Sequence, residues 1–139
     1  MQAILISVAV VPVVAGTLRL IEVFGGPRSL PDNPRIAASP APAVLHIVGG
    51  GVFLVLGAFQ FSAPIRRRWP TWHRRVGRVL LVLALGAAVA AVDMTLLYPL
   101  QTGTGQLLHL LRLLFGSALA ACVVLGFREI GRASCRERV

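Results

Sequence analysis

Charged residues are scarce in this chain of 139 residues, at 14% of the composition, and only five residues are acidic. A soluble domain contains about 25% charged residues. The hydrophobic fraction is 56%, which is more than a soluble core of this size can bury. The composition therefore excludes an ordinary soluble domain and predicts a protein that lies in a membrane.

Cysteine is almost absent as well, with two residues in the whole chain. Cys135 lies near the C-terminus, and Cys122 lies in an apolar helix, where a small buried thiol is expected. There is no disulfide framework and no CxxC metal motif. The chain also lacks GxSxG, HExxH and Walker motifs, and "GGG" at 49–51 falls inside an apolar helix. The sequence assigns no catalytic residue and no metal site built from protein ligands alone, and it leaves open whether the protein is an enzyme.

Four apolar segments have the length of a membrane-crossing helix, about 20 residues for a hydrocarbon core about 30 Å thick. They predict an all-α, integral membrane bundle of four transmembrane helices within one domain, residues 1–128. The first segment has no basic region before it and no clear cleavage site, so it is not a signal peptide. The predicted helices are 3–24, 43–61, 79–98 and 106–127.

The last residues differ in kind from the rest. Residues 130–139, "IGRASCRERV", correspond to one translated frame of a common sequencing adapter, with Glu129 at the junction. We therefore expect 129–139 to be a non-native tail. The native protein is expected to continue beyond Arg128.

Residues 66–78, "RRRWPTWHRRVGR", hold six arginines and no acid. The predicted first loop has only Arg28 and Arg35, and the predicted third has none. Short arginine-rich loops stay in the cytoplasm, so the N-terminus and this loop are predicted to be on the cytoplasmic side of a cell membrane. The arginines are expected to meet anionic lipid headgroups rather than nucleic acid. The basic loop consists of Arg66, Arg67, Arg68, His73, Arg74, Arg75 and Arg78.

The run "HIVGGGVFLVLGAFQF" followed by "RRRWPTWHRRVGR" resembles bacterial predicted membrane proteins catalogued as domain of unknown function 2306. In that family a His-led helix ends in a Phe-Gln-Phe-like element before an Arg-rich loop, matched here from His46 to Arg78. The resemblance implies a membrane fold, a place in a bacterial cytoplasmic membrane and no particular activity. It also implies a further His/Arg/Trp/Met-rich element after the fourth helix, which this sequence does not contain.

Polar side chains lie on the small-residue faces of the predicted helices, at i, i+3 and i+4 spacing. A polar group at membrane depth is costly and indicates a functional site by default. The predicted topology gathers these groups in the outer half of the bundle, where Asp93 and Arg112 are expected to form an ion pair across a short loop. The predicted cluster comprises Arg19, Glu22, His46, Asp93, His109 and Arg112.

One interpretation of this cluster is a b-type haem. His46 and His109 each lie three residues into a helix that starts outside, so they share a depth and can be its axial ligands. Arg19 and Arg112 would contact the propionates. Glycines at 49–50 would leave room for the flat macrocycle.

Two other interpretations stay open. The protein handles protons or a solute through Asp93, Arg112 and the histidines. Alternatively, the cluster is purely structural, made of compensated ion pairs that fix the bundle.

Overall fold

The computed structural model describes residues 2–99 and 105–136, with side chains over 4–99 and 105–129. These residues form helices and connections, with no strand among them. Four helices are long and apolar enough to cross a membrane, which confirms the predicted all-α membrane bundle. The helices are α1 (Gln2–Val23), α2 (Pro34–Ala38), α3 (Pro40–Gln60), α4 (Ala63–Arg68), α5 (Pro70–Leu97) and α6 (Gln106–Arg136).

Proline marks where several helices begin. Pro34, Pro40 and Pro70 are the first residues of α2, α3 and α5. Proline suits this position because its missing N–H has no helical partner there and its φ is already helical. It also disfavours helix in the residue before it. The chain therefore breaks at Ser39, between α2 and α3, and at Trp69, between α4 and α5.

A glycine pair ends α1. Gly25 has φ of 88°, a left-handed conformation that glycine adopts without a side-chain clash. Its N–H donates to the carbonyl of Glu22 at 3.1 Å, and the N–H of Gly26 donates to that of Ile21 at 2.8 Å. This is the Schellman pattern, which satisfies the last carbonyls of the helix. Pro27 then prevents the helix from continuing.

The arginine-rich segment was predicted as a loop, and that prediction is wrong. Its first three arginines belong to α4, and residues 70–78 form the first turns of α5, which begins at Pro70 rather than at residue 79. Arginine is a good helix former and carries no penalty where a helix emerges from the apolar layer. Helix α6 likewise extends beyond 127 to Arg136, into the tail predicted to be non-native. Residues 100–104 and 137–139 lie outside the described residues, as do the side chains of 130–136, including Cys135.

The membrane helices pack in chain order: α1 on α3, α3 on α5, and α5 on α6. A tightly packed glycine lies at each interface. A Cβ at Gly16 would come within 2.8 Å of Ile47, one at Gly49 within 3.1 Å of the Leu83 carbonyl oxygen, and one at Gly116 within 3.0 Å of Val92. Close approach at small residues is how membrane helices gain packing energy.

Contacts at the helix ends show that consecutive membrane helices run antiparallel. Tyr98, after α5, bonds to Ser39, before α3, whereas Gln60 at the end of α3 lies against Gly77 near the start of α5. The bundle thus has two ends. We call the one with residues 24–39, Tyr98 and the start of α6 the His46 end, and the one with α4 and the start of α5 the His73 end.

The interior of the bundle is built from small side chains. Alanines dominate the buried residues, and Ala84, Ala87, Ala88 and Ala90 line α5. Large apolar side chains point outward, as Val11 does at 73% exposure. This distribution suits a lipid environment, in which large apolar groups lose nothing by facing out. Cys122 was expected to be buried and is exposed on α6, so that prediction is wrong.

Candidate functional site

A cavity of about 510 Å³ opens at the His46 end. It is bounded by α2, α3, α5 and α6, so segments far apart in sequence meet around it. Its volume is within the range of small-molecule and cofactor sites, about 300–1,000 Å³. The lining residues are Asn33, Arg35, Ile36, His46, Ala91, Met94, Thr95, Tyr98, Pro99, His109, Arg112 and Gly116.

His46 reaches this cavity from α3 in a defined tautomer. Its Nδ1 lies 2.8 Å from the carbonyl oxygen of Ala87 on α5. A carbonyl oxygen can only accept, so Nδ1 carries the proton and donates it. The other ring nitrogen, Nε2, therefore holds a lone pair when the imidazole is neutral. Fixing one nitrogen in this way orients the ring and makes the other nitrogen a better ligand.

Gly49, one turn after His46, lets α3 and α5 come close enough for this hydrogen bond to form. A Cβ at Gly49 would lie 3.1 Å from the Leu83 oxygen and 3.5 Å from the Ala87 Cβ. The sequence predicted that glycines 49–50 leave room for a macrocycle, and this is wrong for Gly49. The residue is buried between α3 and α5, where it allows the helices to approach. Gly50, in contrast, has open space around it, with nothing within 4 Å of an added Cβ.

Helix α6 supplies the other side of the cavity. His109, Arg112 and Gly116 follow at i, i+3 and i+7, so they share one face of the helix. Gly116 lies against Val92 of α5 and holds α6 close to it. The structure thus brings His46 and His109 to a single cavity from two helices, each packed on α5.

Two residues that the sequence analysis did not select close the cavity at its end. Arg35 of α2 donates from Nη1 to the carbonyl oxygen of Pro99 at 3.1 Å, and its guanidinium carbon lies 6.0 Å from the centre of the Tyr98 ring. The Tyr98 hydroxyl donates to the carbonyl oxygen of Ser39. These contacts join the first connection to the end of α5. No local pattern could reveal them, because their partners are about 60 residues apart in sequence.

Arg19 and Glu22 do not belong to this cavity. They line a second cavity of about 580 Å³ between α1 and the connection that follows it. Arg19 donates to Glu22 Oε2 at 2.7 Å and to the carbonyl oxygen of Pro31 at 3.0 Å. The predicted contact of Arg19 with haem propionates stays a prediction, and the placement of Arg19 outside the cavity of His46 and His109 gives it no support.

Glu22 has a structural role in the connection after α1. Its Oε1 accepts hydrogen bonds from the backbone N–H groups of Ser29 and Leu30, both at 2.6 Å. Together with the Arg19 ion pair, these bonds use both carboxylate oxygens. Glu22 therefore fixes the path of residues 24–33 and is not available to a ligand.

Asp93 and Arg112 do not form the predicted ion pair. The ion pairs that the structure shows are Arg19–Glu22 and the exposed Arg28–Asp32, and neither involves Asp93 or Arg112. Arg112 lines the His46 cavity and Asp93 does not, so the two side chains leave their helices in different directions. The charge of Asp93 acts instead on Tyr98, whose pKa is raised above 10.0 first by burial and then by this carboxylate.

The described residues contain no group of three or more His, Cys, Asp or Glu side chains able to hold a metal ion. A pair of histidines suffices only where another group completes the coordination. A porphyrin does so, because it supplies four nitrogens and leaves two axial positions.

Comparison of the sequence with models of known protein families finds a match. The model of DUF2306, described as a predicted membrane protein, matches residues 43–137, more than half of the chain. The chain belongs to this family. No curated protein and no solved structure matches it.

The DUF2306 match includes His46, His109 and Arg112 of the cavity, whereas Arg19, Glu22 and Arg35 precede it. It also includes residues 130–137, within the tail predicted to be non-native, and the origin of that tail stays a prediction. The family and the four apolar helices establish a multi-pass membrane protein.

Proposed function

We propose that this DUF2306 protein binds haem b in the His46 cavity, with His46 and His109 as axial ligands, and carries single electrons in the membrane. The observation that carries the proposal is that imidazoles from α3 and α6 line one cavity. Haem, when bound, supplies the one-electron chemistry. The chain's own residues hold it, orient it and tune it.

The environment of His46 supports this role. Its Nδ1–H is occupied by the Ala87 carbonyl oxygen, so Nε2 is the nitrogen that remains for iron. Histidines that ligate metals usually donate their other N–H to such an acceptor. Ala91 of α5, a small residue, also lines the cavity and leaves space between the two ligand helices.

The charges around the cavity support an anionic ligand. Arg35 and Arg112 line it, and no acidic side chain does so among its described lining residues. Haem b carries two propionate groups, and guanidinium pairs with carboxylate through two parallel hydrogen bonds. In this proposal Arg35 replaces Arg19 as the second propionate contact.

The test is an absorption spectrum of the protein purified from haem-sufficient cells, before and after reduction. We expect a Soret band and reduced-minus-oxidised bands of a low-spin b-type haem. His46→Ala and His109→Ala should each abolish or strongly weaken these bands, because each removes one axial ligand. The chain has three histidines, and His73→Ala is the matched control that should leave the spectrum unchanged.

A colourless preparation that stays colourless after reconstitution with haem refutes the proposal. So does a Soret band that survives in both the His46→Ala and His109→Ala variants. In either case the cationic lining favours the second candidate, a site that handles an anionic solute. Binding of small carboxylates that is lost in Arg112→Gln would support this alternative.

We further infer that the His73 end faces the cytoplasm and that the N-terminus of the chain lies on the same side. Six arginines in residues 66–78 support this orientation against two in residues 24–39. Near an anionic membrane surface each arginine contributes about 1 kcal/mol of attraction to lipid headgroups.

A further inference from the structure

Two polar atoms at the His73 end are buried without a hydrogen-bond partner. They are Nε2 of Gln60, the last residue of α3, and Nδ1 of His73, in the first turn of α5. Buried polar atoms in folded proteins are normally paired, and an unpaired one costs stability. The two atoms lie on adjoining helix ends, so one acceptor placed between the helices would satisfy both.

Gln60 lies against α5 one turn from His73, and we call the place where the end of α3 meets the start of α5 the crevice. Oε1 of Gln60 lies 3.5 Å from the position that a Cβ of Gly77 would take. His73 is four residues before Gly77, so it lies on the same face of α5, one turn nearer the helix start. Ser62, two residues after Gln60 in the chain, is also buried, with 8% exposure. A Cβ at Gly77 would make only ordinary van der Waals contact with Oε1 of Gln60, so the distance shows that the Gln60 amide packs against α5 here.

The charge around the crevice has one sign. The chain has no acidic residue between Asp32 and Asp93. Six exposed arginines flank the crevice in sequence, and none of them forms an ion pair among the described residues. The crevice lies between the N-terminus of α5, whose dipole favours an anion, and the C-terminus of α3, whose dipole opposes one, so the charge of the arginines decides the sign. The arginines are Arg66, Arg67, Arg68, Arg74, Arg75 and Arg78.

We propose that this crevice is a discrete site for a phosphoryl group. Gln60 Nε2 and His73 Nδ1–H donate to its oxygens, and the arginines on α4 and α5 neutralise its charge. Phosphoryl oxygens accept several charge-assisted hydrogen bonds at once, which a neutral headgroup cannot do. The group belongs to an anionic phospholipid or to free phosphate. The proposal does not depend on haem, since the His46 cavity lies at the other end of the bundle.

The chain offers a built-in reporter for this site. Both of its tryptophans, Trp69 and Trp72, lie beside His73, so the intrinsic fluorescence of the whole protein reports on this segment. We would titrate the protein, purified in a non-ionic detergent, with phosphatidylglycerol, with a glycosyl diacylglycerol that lacks phosphate, and with inorganic phosphate. Fluorescence would be followed together with native mass spectrometry, which counts bound lipids.

The matched variants are Gln60→Leu and Gln106→Leu. The latter makes the same change at an exposed position at the other end of the bundle. Losing one hydrogen bond to a charged group should weaken binding about tenfold or more. We expect saturable binding of one phosphatidylglycerol to the wild type, weakened in Gln60→Leu and retained in Gln106→Leu.

Two results support the site and distinguish its ligand. Binding of phosphatidylglycerol that inorganic phosphate does not displace identifies a lipid headgroup. Saturable binding of inorganic phosphate with no preference for phosphatidylglycerol over the glycolipid identifies free phosphate.

The proposal is overturned if the wild type shows no preference for phosphatidylglycerol over the glycolipid and also does not bind inorganic phosphate. The two buried atoms then hold water alone. This comparison needs no variant, so it stands even where Gln60→Leu does not fold. Equal binding by Gln60→Leu and Gln106→Leu also overturns it, because the arginines alone then explain the affinity.

Discussion

Adding one methyl group at Gly49 should loosen the α3–α5 interface and disturb the candidate site together. In Gly49→Ala the new Cβ lies 3.1 Å from the backbone oxygen of Leu83, closer than ordinary van der Waals contact. Backbone cannot rotate away as a side-chain end can, so the helices must separate by a few tenths of an ångström. Overpacking of this kind costs about 1–3 kcal/mol. The same movement lengthens the 2.8 Å bond from His46 Nδ1 to the Ala87 oxygen.

Gly50→Ala is the matched control, because nothing lies within 4 Å of a Cβ at that position. Both substitutions gain about 1 kcal/mol of helix propensity, so their difference isolates the contact. We expect Gly49→Ala to be about 1–3 kcal/mol less stable than Gly50→Ala. Unfolding in mixed micelles with increasing dodecyl sulfate, followed by circular dichroism, measures this difference. A difference below about 0.5 kcal/mol would refute the close packing assigned to Gly49.

Three further predictions concern the two ends of the bundle. Tyr98 is the one tyrosine of the chain, and because its pKa is raised, tyrosinate absorbance should appear above pH 10.0. Asp93→Asn should lower the pKa of Tyr98, and an unchanged titration would exclude the influence of Asp93. Glu22→Gln should increase proteolysis within residues 24–33 several-fold, because one amide oxygen cannot replace a carboxylate that accepts from Ser29, Leu30 and Arg19; equal cleavage of wild type and variant would contradict this anchoring. In a background without native cysteines, a cysteine at Ser39 should react with an impermeant reagent in intact cells and one at Thr71 should not; the opposite pattern would reverse the inferred orientation.

The helices could be predicted because their signal is local. Apolar length alone defines the four membrane spans. The equal depth of His46 and His109 was predicted because each was expected to lie three residues into its helix, but α3 begins at Pro40, so His46 lies six residues into α3 and His109 three into α6. The structure nevertheless brings both histidines to one cavity. That meeting depends on the alternating direction of the spans and not on how the helices rotate about their axes.

The remainder of the site depends on rotation and packing order, which one sequence does not define. Asp93 and Arg112 lie near a common loop, yet only Arg112 turns towards the cavity. Arg19 was assigned to the same cluster because its depth was right, but α1 packs on α3 and not beside α6. Arg35 was counted only as a loop charge, because its contact with Pro99 arises from the fold of the connection.

Charge balance at the His46 end favours an anionic occupant over an empty structural cavity. The carboxylates on this side are already engaged: Glu22 pairs with Arg19, and Asp32 pairs with Arg28. Asp93 acts on Tyr98 and forms no ion pair with Arg112 among the described residues. A guanidinium at membrane depth without a counter-ion is costly, so a purely structural cluster would be expected to compensate Arg112 within the protein. A ligand with carboxylate groups removes this imbalance, and haem b would bring two carboxylates together with an iron that His46 and His109 would hold. The same cavity presents two guanidinium groups and two imidazoles. This correspondence in number and kind is the physical reason to test haem before any other ligand.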